Sequence, residues 1–121
     1  MKSIKIRLDV NNYFEHVIKI LRAVPPFDQL RDRELEVYSR LLFHFSRIKA
    51  QNSEMDFISL NKILFSYETR RLIEEELNLS DANLRNKISQ LKTKQIIDQK
   101  TLIQRYIILY GEDIEYKFIT I

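Results

Sequence analysis

The stretch from Asn78 to Thr101, NLSDANLRNKISQLKTKQIIDQKT, sets amide and ammonium side chains at helical spacing. Those residue types have a chemistry. Asn and Gln amides make paired hydrogen bonds to adenine in a major groove, and Lys reaches guanine or a phosphate. Leu84, Ile88 and Leu91 stand at i, i+4 and i+7, so they are expected to face inward. The outward set then contains Ala82, Asn83, Asn86, Lys87, Gln90 and Lys94. Arg70 and Arg71 before this helix, and Lys100 and Arg105 after it, are candidates for holding phosphates. Residues 81 to 105 carry six basic and two acidic side chains, a local charge of +4 against +3 for the whole chain. Such clustering favours a polyanion. The same residue types also cover any solvated helix. Glu74, Glu75 and Glu76 make the preceding helix negative, and Asp81 sits where a groove-reading helix would approach DNA. The helix therefore has two readings, a DNA reader and a piece of scaffold.

The flanking sequence says what positions it. Ser66 has the side chain of an N-cap, with Glu68 favourable near the positive end of a helix that runs to about Leu77. Asn78-Leu79-Ser80 reads as a three-residue turn, with Ser80 capping the next helix. Ile96-Ile97 begins a strand, Gln99-Lys100 forms a hairpin tip, and Leu102 to Leu109 returns. This is the order of a winged helix-turn-helix, although a tip without Gly is a poor wing for entering a minor groove. Upstream, Leu35, Tyr38, Leu41, Leu42 and Phe45 form the apolar stripe of a long helix from Leu30 to Ala50, capped by Asp28 or Asp32. AQNSEMDF is a polar loop, and ISLNKILFS fits a short helix or a short strand.

At the N-terminus, Ser3 to Val10 alternates strictly, with Ile4, Ile6, Leu8 and Val10 on one side, the pattern of a half-buried strand. Asn11 or Asn12 caps the helix that follows, whose stripe is Tyr13, Val17, Ile20, Leu21 and Val24, and Pro25 ends it. After YGED, Ile114, Tyr116 and Phe118 alternate with polar residues in a final strand to Ile121. The expected fold is α+β: a winged helix-turn-helix core with an additional N-terminal strand and helix and a C-terminal strand. It is one domain, with a strand-helix extension over 1–27, a core over 28–110 and a last strand over 111–121. The terminal strands pair with each other or accept a strand from another subunit, which makes Ile4, Ile6, Leu8, Tyr116, Phe118, Ile119 and Ile121 interface candidates.

Other chemistry is sparse. The chain has no Cys, which excludes disulfides and thiolate metal sites, and one Gly, which leaves no loop to cradle a nucleotide phosphate. No Ser-His-Asp arrangement can be assembled. His44 in LLFHF and His16 lack further ligands at metal spacing and read as structural histidines, while Glu74 to Glu76 read as a solvated face. The six Tyr would suit an interface, but most read as core-edge residues. The reading is therefore non-enzymatic, with no catalytic residues, no metal, no cofactor and no small-molecule substrate. MKSIKIRLDV lacks the apolar stretch of a secretory signal, and no apolar run approaches the ~18 residues of a membrane span.

One resemblance adds to this. ILFS at Ile63 to Ser66, ETR at Glu68 to Arg70, and the pattern L.LS...LRN.IS.LK.K.II from Leu77 to Ile97 are similar to small proteins of crAss-like tailed bacteriophages. The similarity takes in IKIRLDVNNYFEHVIKILRAVPPF, Ile4 to Phe27, and a closing Tyr-containing strand. It implies a structural protein of the virion, assembled in the host cytoplasm, in an oligomeric ring or neck that connects portal to tail. Its partners would be copies of itself and neighbouring virion proteins, with contacts spread over a surface. Duplex DNA is the alternative partner, bound by a transcription regulator that reads the major groove with the 81–94 helix.

Overall fold

A computed structural model of the chain describes residues 10–107. The described residues are mostly helical. They form α1 (Val10–Leu21), α2 (Asp32–Gln51), α3 (Phe57–Leu64), α4 (Tyr67–Leu77) and α5 (Asp81–Thr93). A two-stranded antiparallel sheet follows, β1 (Ile97–Asp98) paired with β2 (Thr101–Leu102), with Ile97 opposite Leu102 and Asp98 opposite Thr101. Single 3-10 turns stand at Phe27–Gln29 and Gln104–Tyr106. The composition is compatible with an α+β class. The expected strand over 3–10, the strand over 111–121 and the seven interface candidates on them lie outside the described residues, except that Val10 opens α1.

The central helix is α2, against which α1, α3, α4 and α5 all pack. Its stripe is the one expected: Leu35, Tyr38, Leu41, Leu42 and Phe45 are all buried. Each such side chain contributes roughly 1.5–3 kcal/mol through burial. The cap differs from expectation. Neither Asp28 nor Asp32 caps α2; the N-cap is Arg31, whose backbone N–H donates to Glu34 Oε1 at 2.9 Å. Glu34 thus reaches back from the third helical position to accept the N–H of the N-cap residue, the Glu half of a capping box.

In α1, Phe14, Val17 and Ile18 are buried, while Ile20, and Val24 in the turn beyond the helix, are each 47% exposed. The expected stripe was set about one residue off. The helix starts at Val10, before either Asn could cap it, and stops at Leu21, before Pro25. Arg22 holds the turn that follows, donating from Nε to Leu30 O at 2.9 Å and from Nη1 to Asp32 Oδ1 at 2.7 Å. The Pro25-Pro26 peptide is cis.

The ambiguous ISLNKILFS segment resolves as the helix α3. Asp56 caps it, accepting from Ser59 N at 2.7 Å, and hydrogen bonds from the Ser59 side chain and backbone hold the Asp56 carboxyl below its usual range. Ser66 and Ser80 cap α4 and α5 as the sequence indicates, accepting from Thr69 N at 3.4 Å and Asn83 N at 3.1 Å. Between those helices Asn78 is left-handed (φ 53°), a conformation an Asn side chain tolerates, and Leu79 N–H reaches back to Glu74 O at 2.9 Å. Arg33 of α2 donates to Leu77 O at 2.7 Å, satisfying a carbonyl at the end of α4. The hairpin is fastened to α3 by Asn61, which is fully buried: its Oδ1 accepts from Leu102 N at 2.8 Å and its Nδ2 donates to Phe57 O at 2.8 Å.

Candidate functional site

The order α4, turn, α5, hairpin holds the candidate helix as the spacing indicates. Leu84 and Leu91 are fully buried and Ile88 is partly buried. The outward face is rotated from the expected one. Ala82, Asn83, Arg85, Asn86, Ser89, Lys92 and Thr93 are exposed, whereas Lys87, Gln90 and Lys94 are half-buried. The cause is that α5 packs on two helices, α2 and α4, and so buries more than one stripe. Lys94 is turned toward α2. Its Nζ donates to the Glu34 carboxylate and, at 2.8 Å, to Gln29 O. Gln90 encloses its Oε1.

Glu34 is the electrostatic centre of this packing. Its side chain is 1% exposed and Lys94's is 22%. Burial pushes the Glu34 carboxyl upward, but the Arg31 backbone N–H and the Lys94 ammonium, with Lys87 more distant, hold it below the usual carboxylate range. Lys87 and Lys94 therefore converge on Glu34, while Asn83 and Asn86 remain on the solvent side.

The remaining phosphate candidates are dispersed. Arg71 on α4 and Lys100 at the hairpin tip are exposed. Arg70 is half-buried, with its Nε enclosed. Arg105 lies over its neighbour Tyr106, 4.8 Å from the ring centre, and donates to that hydroxyl at 3.1 Å. Exposed Arg85, absent from the expected set, pairs with Asp81 at 3.0 Å.

The glutamate block is not uniformly a solvated face. Glu74 is buried, Glu75 is exposed, and Glu76 meets His44 Nε2 at 2.7 Å and Arg40 at 3.5 Å. His44 is 4% exposed, and this carboxylate from α4 is its polar partner. The sequence holds no local sign of it, since His44 lies 32 residues before Glu76. Among the described residues no group of three or more His, Cys, Asp or Glu is placed to hold a metal ion. No described helix is long and apolar enough to cross a membrane.

Large apolar side chains stand in solvent on α3 and α4. Ile58 and Tyr67 are each 64% exposed, Leu72 49% and Ile63 36%. Tyr67 is thus not a core-edge residue, whereas Tyr38 is wholly buried and donates to Tyr106 O at 3.3 Å. Burial in that apolar setting raises the Tyr38 hydroxyl well above its usual range, with Tyr106 adding to it.

No family model, curated protein or solved structure matches the chain.

Proposed function

We propose that the protein is a non-enzymatic structural component that works by protein-protein contact, as in an oligomeric ring or neck of a tailed-phage virion. The observation that carries this is the exposure of Ile58, Ile63, Tyr67 and Leu72 on two consecutive helices. A partner that covers them gains hydrophobic stabilisation, and large aromatic side chains are favoured at such contacts. The resemblance of Ile63 to Ile97 to short chains of crAss-like phages supports the same reading. So does the inward turn of Lys94, which takes a cation away from any groove-reading face. In gradient-purified particles of the phage that encodes it, the chain is expected by mass spectrometry at a fixed copy number. Particles that lack it would overturn the proposal.

A second reading rests on a separate observation. Asn83 and Asn86 are exposed on a helix that enters a hairpin with Lys100 at its tip. This fits a winged helix-turn-helix DNA-binding regulator in which exposed Arg85 and Lys92 join Asn83 and Asn86, in place of the half-buried Lys87, Gln90 and Lys94. It predicts duplex binding that weakens steeply with salt and loses sequence preference in Asn86→Ala.

A further inference from the structure

The outer ridges of α4 and α5 carry opposite charge at the same spacing. On α4, Glu68, Leu72 and Glu75 are exposed at i, i+4 and i+7, with Leu72 and the exposed cation Arg71 between the carboxylates and Glu76 beside them, so the ridge keeps a net negative charge. On α5, Arg85, Ser89 and Lys92 are exposed at i, i+4 and i+7, with the small Ser89 between the cations. At about 1.5 Å rise per residue, both charge pairs span roughly 10.5 Å. No ion pair joins α4 to α5 among the described residues. The nearest engagement of either ridge is Arg85 with Asp81, an exposed pair at 3.0 Å that a second carboxylate can replace.

We propose that the α4 ridge of one copy of this chain docks on the α5 ridge of a second copy, which gives a head-to-tail assembly. The carboxylates of Glu68 and Glu75 would meet Arg85 and Lys92 of the second copy, and Leu72 would sit over Ser89. Pairing α4 with itself about a two-fold axis is disfavoured. Antiparallel helices would set Glu68 against Glu75 and Glu76, and parallel helices would set each Glu against its own copy; like charges opposed across an interface are costly. A contact between two different faces propagates, and it closes into a ring or runs on as a filament. The proposal deepens the protein-contact reading above and rests on it.

The test is sedimentation velocity on the full chain and on two charge-reversed variants, Glu68→Lys/Glu75→Lys and Arg85→Glu/Lys92→Glu. All four positions are exposed, and thermal melts by circular dichroism check that both variants keep the fold. Wild type is expected to assemble with rising concentration and to dissociate in about 1 M salt, where charges are screened beyond about 3 Å. Each variant alone is expected to sediment as a monomer. Their equimolar mixture should reassemble, because each then offers the face that complements the other. Wild-type assembly that persists in both variants would overturn the α4–α5 docking and leave the protein-contact reading standing. A wild type that stays monomeric, yet binds duplex DNA in a way Arg85→Glu/Lys92→Glu abolishes, would overturn both. A mixture that remains monomeric would overturn the proposed pairing of ridges.

Discussion

Removing Lys94 should cost more than removing the charge of Glu34, although the two form one ion pair. Lys94→Met leaves a carboxylate that is 1% exposed with the Arg31 N–H as its remaining hydrogen-bond donor. Breaking a buried pair from one side costs about 3–5 kcal/mol. The lower end, about 3 kcal/mol, applies because Lys94 is 22% exposed and its loss opens a path for water. At about 4 °C per kcal/mol for a domain of this size, the melting temperature should fall by roughly 12 °C. Glu34→Gln keeps an oxygen that accepts from Arg31 and Lys94, and should cost about 1 kcal/mol. The double variant should be more stable than Lys94→Met, since no buried charge is stranded.

The pH dependence has a definite sign. The folded Glu34 carboxyl lies below its unfolded value of about 4.3. Its contribution is therefore fully present above that pH and is lost as pH falls through the lower folded value. The gap between wild type and Lys94→Met should shrink in that acid window. Urea unfolding followed by circular dichroism measures both quantities. A Lys94→Met variant within about 0.5 kcal/mol of wild type, or a Glu34→Gln variant less stable than Lys94→Met, would show that Lys94 does not hold a stranded carboxylate in place.

Asn61→Leu should leave the buried Leu102 N–H unpaired and cost about 1–3 kcal/mol, with faster amide exchange at Leu102 than at core positions of α2. Ser66→Ala and Ser80→Ala each remove a cap and should cost about 1 kcal/mol, additively, because the caps serve different helices. Gln95 sits just past α5 with φ 61°, where Ile96 N–H returns to Leu91 O at 3.0 Å; Gln95→Gly should stabilise the fold by up to about 1 kcal/mol in a urea titration. His44→Ala should destabilise by about 1–3 kcal/mol by removing a buried ring and its hydrogen bond to Glu76, which keeps Arg40, and the hydrogen-bond share of that loss should vanish in a Glu76→Ala background in a double-mutant cycle.

Local chemistry was easiest to read from the sequence. Ser66 and Ser80 cap helices whatever surrounds them, because a hydroxyl beside free N–H groups acts within one turn. The α2 stripe was legible because five apolar residues in a row of turns leave one possible face. Long-range pairing was not legible. Glu34 sits 60 residues from Lys94 and Glu76 lies 32 from His44, and neither spacing carries a local sign of the contact. That is why Lys94 was expected to face outward. The face of α5 was missed for a related reason: three inward leucine-type positions define a narrow stripe, but contact with both α2 and α4 buries Lys87 and Gln90 as well. Arg85, Ser89 and Lys92 become the outer ridge only once that second contact is known. In α1 the stripe slipped because Phe14 and Ile18 compete with Tyr13 and Ile20 in a segment rich in apolar residues, and only α2 decides between them.

The function proposed for this chain is contact with protein rather than the reading of DNA. Titration with random duplexes and with duplexes from the genome that encodes the chain, across a salt series and with solution mass recorded alongside, tests it directly. The expected result is no sequence-preferring binding at physiological salt, together with self-association. Submicromolar binding to one preferred sequence by a monomer would contradict it.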